Sequence, residues 1–170
     1  QLRGSTDTAI AENNGSVTIR FTGYEEPTFA NAGPISRNCL GAPGSIPAGT
    51  TASIESIFTL NGTDLRCNDQ PIAQNVAAFQ VRYLLQGTDQ DDPTMLDTNS
   101  AGVADWNRVQ GVEVCLVLFG TERIDLPEGA SYTGCDGSTA VNITTLAAPR
   151  TNRMHYVFRN VFQLRSQGLI

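Results

Sequence analysis

Val76-Ala-Ala-Phe79-Gln-Val81-Arg-Tyr83-Leu84-Leu85 opens the stretch whose reading decides the fold. The acidic Gly87-Thr-Asp89-Gln-Asp91-Asp92 follows, and the stretch closes with Val109-Gln-Gly111-Val112-Glu113-Val114-Cys115-Leu116-Val117-Leu118-Phe119. Phe79, Val81, Tyr83 and Leu85 alternate with smaller or polar residues, and so do Val112, Val114, Leu116 and Leu118. Period-two alternation rich in β-branched and aromatic residues marks half-buried strands. The two flanks are therefore expected to pair as the centre of an antiparallel sheet, with the acidic loop projecting from one end.

Working outward, Ser16-Val17-Thr-Ile19-Arg-Phe21-Thr22 alternates in the same way and predicts a first strand. Residues 52–60 and 64–67 flank Asn61-Gly62, a hairpin signal. Downstream, residues 120–138 carry Pro127, Gly129, Gly134 and Gly137 and read as a loop tied back at Cys135. Residues 141–146 suggest a short strand. Residues 154–165 predict a final strand of about twelve residues, with a bulge near Asn160 where the apolar alternation shifts phase. Residues 1–12 are polar apart from Leu2, Ala9, Ile10 and Ala11, and read as the end of a helix whose body lies upstream. Asn13-Asn-Gly15 is a turn signal, and residues 23–50 form a long excursion with Pro27, Pro34, Pro43 and Pro47.

A chain of 170 residues suits one domain with a core of its own. Sixteen glycines and eight prolines point to a β-rich, loop-rich fold. A formal net charge of -6 argues against nucleic-acid binding, which needs a basic surface. All 11 basic residues are arginine. No apolar run is long enough to cross a membrane as a helix. The chain starts without a methionine or a signal peptide, so Gln1 is expected to be a cut point in a longer protein.

Candidate chemistry is sparse. Cys39, Cys67, Cys115 and Cys135 include no CxxC pair, and His155 is the sole histidine, so a zinc site lacks its ligands. The even, widely spaced count fits two disulfides in an oxidising compartment. Of the three pairings, sequential Cys39–Cys67 and Cys115–Cys135 is favoured, because each bond closes a loop between neighbouring elements. No catalytic residue is assigned: His155 stands between Met154 and Tyr156 without a nucleophile motif and is expected at the surface or a sheet edge. The glycine loops at 41–45 and 134–138 lack the lysine and following helix of a phosphate loop. Sequons at Asn14, Asn61 and Asn142 read as chance occurrences in a Ser/Thr/Asn-rich chain. The one ligand candidate is the acidic loop: Asp89, Asp91, Asp92, Asp97 and Asp105 are either a solvated turn or a calcium site. Asp89-x-Asp91 has the alternate spacing of calcium loops, without the glycine and glutamate of an EF-hand. No other cofactor is implied.

Four stretches in order carry a resemblance. They are Asn38-Cys39-Leu40-Gly41 with Leu65-Arg66-Cys67, then residues 75–83 running into the Asp-rich loop, then residues 106–114, and finally residues 156–165. Together they resemble the periplasmic domain of a PilW-type minor pilin of the type IV pilus, and more distantly the GspJ-like pseudopilins of type II secretion. The resemblance implies an α+β, pilin-like fold: β-rich antiparallel sheet with an N-terminal helix, here truncated. It implies a single periplasmic domain over residues 1–170, anchored in the inner membrane by the upstream helix. The implied role is non-catalytic: assembly with other minor pilins and the major pilin, priming the pilus and sitting at its tip. The alternatives are a type II secretion pseudopilin and a secreted binding or adhesive β domain. The gene neighbourhood separates the first two, and a prepilin peptidase signature upstream would exclude the third.

Overall fold

The computed structural model describes residues 10–13, 16–23, 25–26, 33–34, 37–42, 52–87, 95–99, 102–105 and 108–163. These residues fall into two compact units, one within Gln1–Asn61 and Leu65–Ile72, the other within Gly62–Asp64 and Ala73–Ile170.

The first unit is built on strands β1 (Ile10–Asn13), β2 (Ser16–Gly23), β5 (Ala52–Asn61), β6 (Asp64–Cys67) and β7 (Gln70–Ala73), in the sheet order β1-β2-β5-β6-β7. Two-residue strands β3 (Glu25–Glu26) and β4 (Gly33–Pro34) pair separately. Val17, Ile54 and Leu65 are buried, as the alternation requires. Arg20 and Glu55 face each other across β2 and β5 and form an ion pair at 2.5 Å. Between β5 and β6 the turn residues are Gly62 and Thr63, with Gly62 at φ +61. Between β6 and β7 they are Asn68 and Asp69, at φ 44 and 65. Two consecutive positive φ values match the twist of a tight hairpin, and Asn and Asp tolerate them better than other non-glycine residues. Asn68 also ties its turn to β5: its side chain accepts the Ile57 N–H at 2.8 Å and donates to the Glu55 carbonyl at 3.3 Å.

Residues 10–12 are not the end of a helix. Ile10–Asn13 lies antiparallel to β2, with Ile10 opposite Ile19 and Asn13 opposite Ser16. The Asn-Gly turn signal at 14–15 falls between the paired Asn13 and Ser16, and a short polar segment beside an open strand gains ladder hydrogen bonds there. Residues 1–9 lie outside the described residues.

The second unit holds the central pair. β8 (Val76–Gln86) and β10 (Val109–Phe119) run antiparallel at the middle of a sheet ordered β13-β10-β8-β9, with β9 (Met95–Thr98) and β13 (His155–Gln163) at its edges. A small ribbon of β11 (Ser131–Thr133) and β12 (Ala140–Asn142) interrupts the loop read over residues 120–138. Only β12 of the suggested strand 141–146 is a strand; Ile143–Thr145 turns as a 3-10 helix capped by Asn142. Asp97 likewise belongs to an edge strand, opposite Leu84, and not to a loop.

The expected bulge near Asn160 is absent. β13 pairs with β10 without a break from Phe119–His155 to Gly111–Gln163. The irregularities lie on the other side of β10, against β8, between Val109 and Gly111 and between Val117 and Leu118. The phase shift of apolar residues in β13 has a different cause: both of its faces carry apolar side chains, and most of them are exposed.

Candidate functional site: the β10–β13 sheet face and edge

The two faces of β10 differ. Cys115, Val117 and Phe119 point to one side and are buried; Leu116 and Leu118 point to the other and are half-buried. On the buried side, Cys115, Val117 and Cys135 form a cluster against which Ala77, Ala78, Tyr132 and Val157 pack. Cys115 is bonded to Cys135, and in the first unit Cys39 is bonded to Cys67, the sequential pairing. Cys39 is held a second way, because its N–H donates to the buried Ser56 hydroxyl at 3.0 Å.

His155 belongs to this covered side, not to the surface. It is 8% exposed and stacks on Tyr132 at 4.8 Å with 4° between the ring planes. Phe119 lies at 5.9 Å on a tilted plane. Nδ1 bonds the Arg153 carbonyl at 2.8 Å, which places the proton on Nδ1. Nε2 has no partner among the described residues. Burial lowers the His155 pKa against the opposing pull of the Arg153 carbonyl, and the Arg150 charge lowers it further. Burial raises the Tyr132 pKa, with Arg150 opposing. Neutral histidine beside neutral tyrosine is a packing pair, and among the described residues no hydroxyl or thiol nucleophile is hydrogen-bonded to it.

The other face is covered toward β8, where Val112, Val81 and Tyr83 are buried, and open along β13. Register places Tyr156 beside Leu118, Phe158 beside Leu116 and Phe162 beside Val112. Leu116 continues to Phe79 on β8, and Val114 to Val81. Tyr156, Phe158 and Phe162 are 54%, 55% and 53% exposed, and Val161, on the opposite side of the same strand, is 52% exposed. A row of large apolar side chains at this exposure marks a contact surface more than a solvated strand. Phe158 and Val161 are thus both accessible, on opposite faces of the strand.

Asp89, Asp91 and Asp92 lie outside the described residues. Asp97 sits in β9, and Asp105 is exposed at a turn where its carbonyl accepts the Arg108 N–H. Among the described residues no group of three metal-ligating side chains occurs. Asn142 is engaged in its own chain, accepting the Thr144 N–H at 2.9 Å. Asp136 was not singled out from the sequence. Its carboxylate accepts from Ser138 N–H, Thr139 N–H and the Thr139 hydroxyl, and these bonds hold its pKa well below the usual carboxylate range. It closes the loop after Cys135 and needs no ligand to explain it.

The sequence profile of Type IV Pilus-assembly protein W, PilW, matches residues 48–166. The chain belongs to the PilW family. The matched span takes in β5, both strands of the central pair and β13. The resemblance seen in the four sequence stretches therefore points to the right family. Among solved structures, the type IV-like pilin of Thermus thermophilus superposes with a TM-score of 0.49 at 15% identity, covering 94% of this chain and 84% of that one. No curated protein sequence matches the chain. PilW membership connects the chain with type IV pilus assembly and with the cell envelope or exterior. Among the described residues no helix is long and apolar enough to cross a membrane.

Proposed function

We propose that this chain is the globular part of a minor pilin that works by protein contact and carries no catalytic activity. In this reading it assembles with other minor pilins and the major pilin, primes the pilus and sits at its tip. The observation that carries the reading is the exposed apolar row of β13, flanked by the half-buried Leu116 and Leu118 of β10, in a chain of the PilW family. Leu116, Leu118, Tyr156, Phe158 and Phe162 form a strip suited to the apolar side of a helix, and an upstream helix laid there would cover what solvent now meets. The same helix would anchor the subunit in the inner membrane before assembly. Calcium at the acidic loop is a separate reading that needs Asp89, Asp91 and Asp92. A melting curve unchanged between millimolar calcium and chelator removes it, because a ligand of the native state alone raises stability.

The assembly role is tested by mixing the purified chain with the periplasmic domains of the other minor pilins of the same operon and measuring association by calorimetry. A complex at or below tens of micromolar, and loss of pili when the gene is deleted, is the expected result. No complex with any of them, together with normal piliation in the deletion strain, refutes it.

A further inference from the structure

The outer edge of β13 has a chemistry separate from its open face. Gly120 donates its N–H to the Met154 carbonyl at 2.9 Å. Alternation along an antiparallel ladder then turns the backbone groups of Tyr156, Phe158, Asn160 and Phe162 toward β10. Those of Val157, Arg159 and Val161 point away from the sheet. No strand pairs with this outward row among the described residues. One outward donor, the Val161 N–H, is occupied by the Asn160 side-chain oxygen at 3.0 Å. The side chains of the same odd-numbered residues rise on the β11 side of the strand. There Thr133, Gly137, Val157 and Arg159 line a shallow, open depression. Arg159 is fixed over it by an N–H donated to the Gly134 carbonyl at 2.6 Å. It is the one formally charged residue of β13 at neutral pH, and no carboxylate among the described residues pairs with it.

We propose that this edge takes up an extended segment of another pilus subunit by strand addition, with a carboxylate side chain of that segment entering the depression against Arg159. The proposal rests on the assembly role above and names the partner's chemistry. Free main-chain groups supply the binding, and alternate side chains supply the choice of partner. A fitting segment alternates: apolar residues beside the Tyr156, Phe158 and Phe162 row, polar residues with a central carboxylate beside Arg159. Charge decides against a second copy of this chain as the occupant. Laid antiparallel along all nine residues of β13, a second copy sets Arg159 opposite Arg159. Like charges directly opposite are destabilising, and copies with a net charge of -6 also repel each other. Asn160 acts as a guard. Its side chain must leave the Val161 N–H before a partner carbonyl can take it, which keeps a free apolar edge from pairing at random.

The probe is a capped heptapeptide, Val-Thr-Val-Asp-Val-Thr-Val, beside its counterpart with asparagine at the centre, each titrated into isotope-labelled protein. The aspartate peptide is expected to bind about tenfold more tightly, the scale of one charge-assisted hydrogen bond, with amide shifts centred on Val157, Arg159 and Val161. R159Q should erase the difference between the peptides, and N160A should tighten both. V161P deletes an outward donor and no bond to β10, so it should abolish binding; if that variant does not fold, R159Q decides alone. Equal binding of the two peptides, or shifts away from β13, overturns the proposal. So does a dimer through β13 in sedimentation without peptide. In cells the two readings separate. If gene deletion removes pili and the R159Q gene restores them fully, the edge proposal fails and the assembly role stands. If the deletion strain is piliated normally, the assembly role itself fails.

Discussion

His155 shows what one residue can impose on the pH response of the second unit. Its ring is stacked on Tyr132, its Nδ1 proton is committed to the Arg153 carbonyl, and Arg150 is the charge that acts on it. Burial leads the lowering of its pKa from 6.5. The unfolded histidine therefore takes up a proton that the folded one refuses. This contribution leaves stability unchanged above pH about 6.5 and erodes it as the pH falls below that value. We expect denaturant midpoints to be level between neutral pH and the onset of tyrosine titration, and to decline on acidification, before the carboxylates titrate. His155→Phe keeps a ring on Tyr132 and should flatten that decline; parallel declines in both proteins would show that His155 is not its source. Asn68 is the corresponding residue of the first unit. Asn68→Ala removes two hydrogen bonds to β5 and leaves a Cβ-bearing residue at φ 44, so a loss of about 2–3 kcal/mol is expected in urea unfolding. Asn68→Gly keeps the turn and should lose about 1 kcal/mol less. Equal losses would place the whole effect in the hydrogen bonds.

At the scale of elements, the strands with long, clean alternation were legible: β2, β5, β8 and β10 stand close to where the sequence put them. Short strands were not. β7 is Gln-Pro-Ile-Ala and mostly exposed, so hydrophobic periodicity had nothing to report; the Asn68-Asp69 pair before it was the available signal. β9 lies inside an acid-rich stretch and is fixed by pairing with β8, a long-range contact that local pattern does not encode. The final strand was legible as a strand, but the exposure of Phe158 was not. Apolar character normally implies burial, and a contact surface breaks that rule. The two faces of the sheet should therefore respond differently to truncation. Val117 is 0% exposed, and Val117→Ala should cost about 2 kcal/mol through lost burial and a cavity. Phe158→Thr keeps strand propensity at an open position and should cost less than about 1 kcal/mol in the isolated chain. It should nevertheless impair association with partner subunits. A large stability loss for Phe158→Thr would mean that the open face is structural.

For the whole molecule, the two disulfides divide as the two compact units do. Cys39–Cys67 closes a separation of 28 residues in the first unit, and Cys115–Cys135 closes one of 20 in the second. On the chain-entropy account each constrains its own unfolded segment by about 3–4 kcal/mol. Cooperative opening tends to follow contiguous structural units, so each bond should protect its own sheet first. In the Cys39→Ser, Cys67→Ser protein, hydrogen exchange at the β2 and β5 amides is expected to speed up by about two orders of magnitude or more, with β8 and β10 changed far less. The Cys115→Ser, Cys135→Ser protein should show the reverse, with exchange rising in β10 and β13, because Cys115 and Cys135 belong to the cluster that packs on Val117 and Val157. If either double variant loosens both sheets equally, the chain unfolds as one cooperative body. The separation into two units would then describe geometry without describing stability.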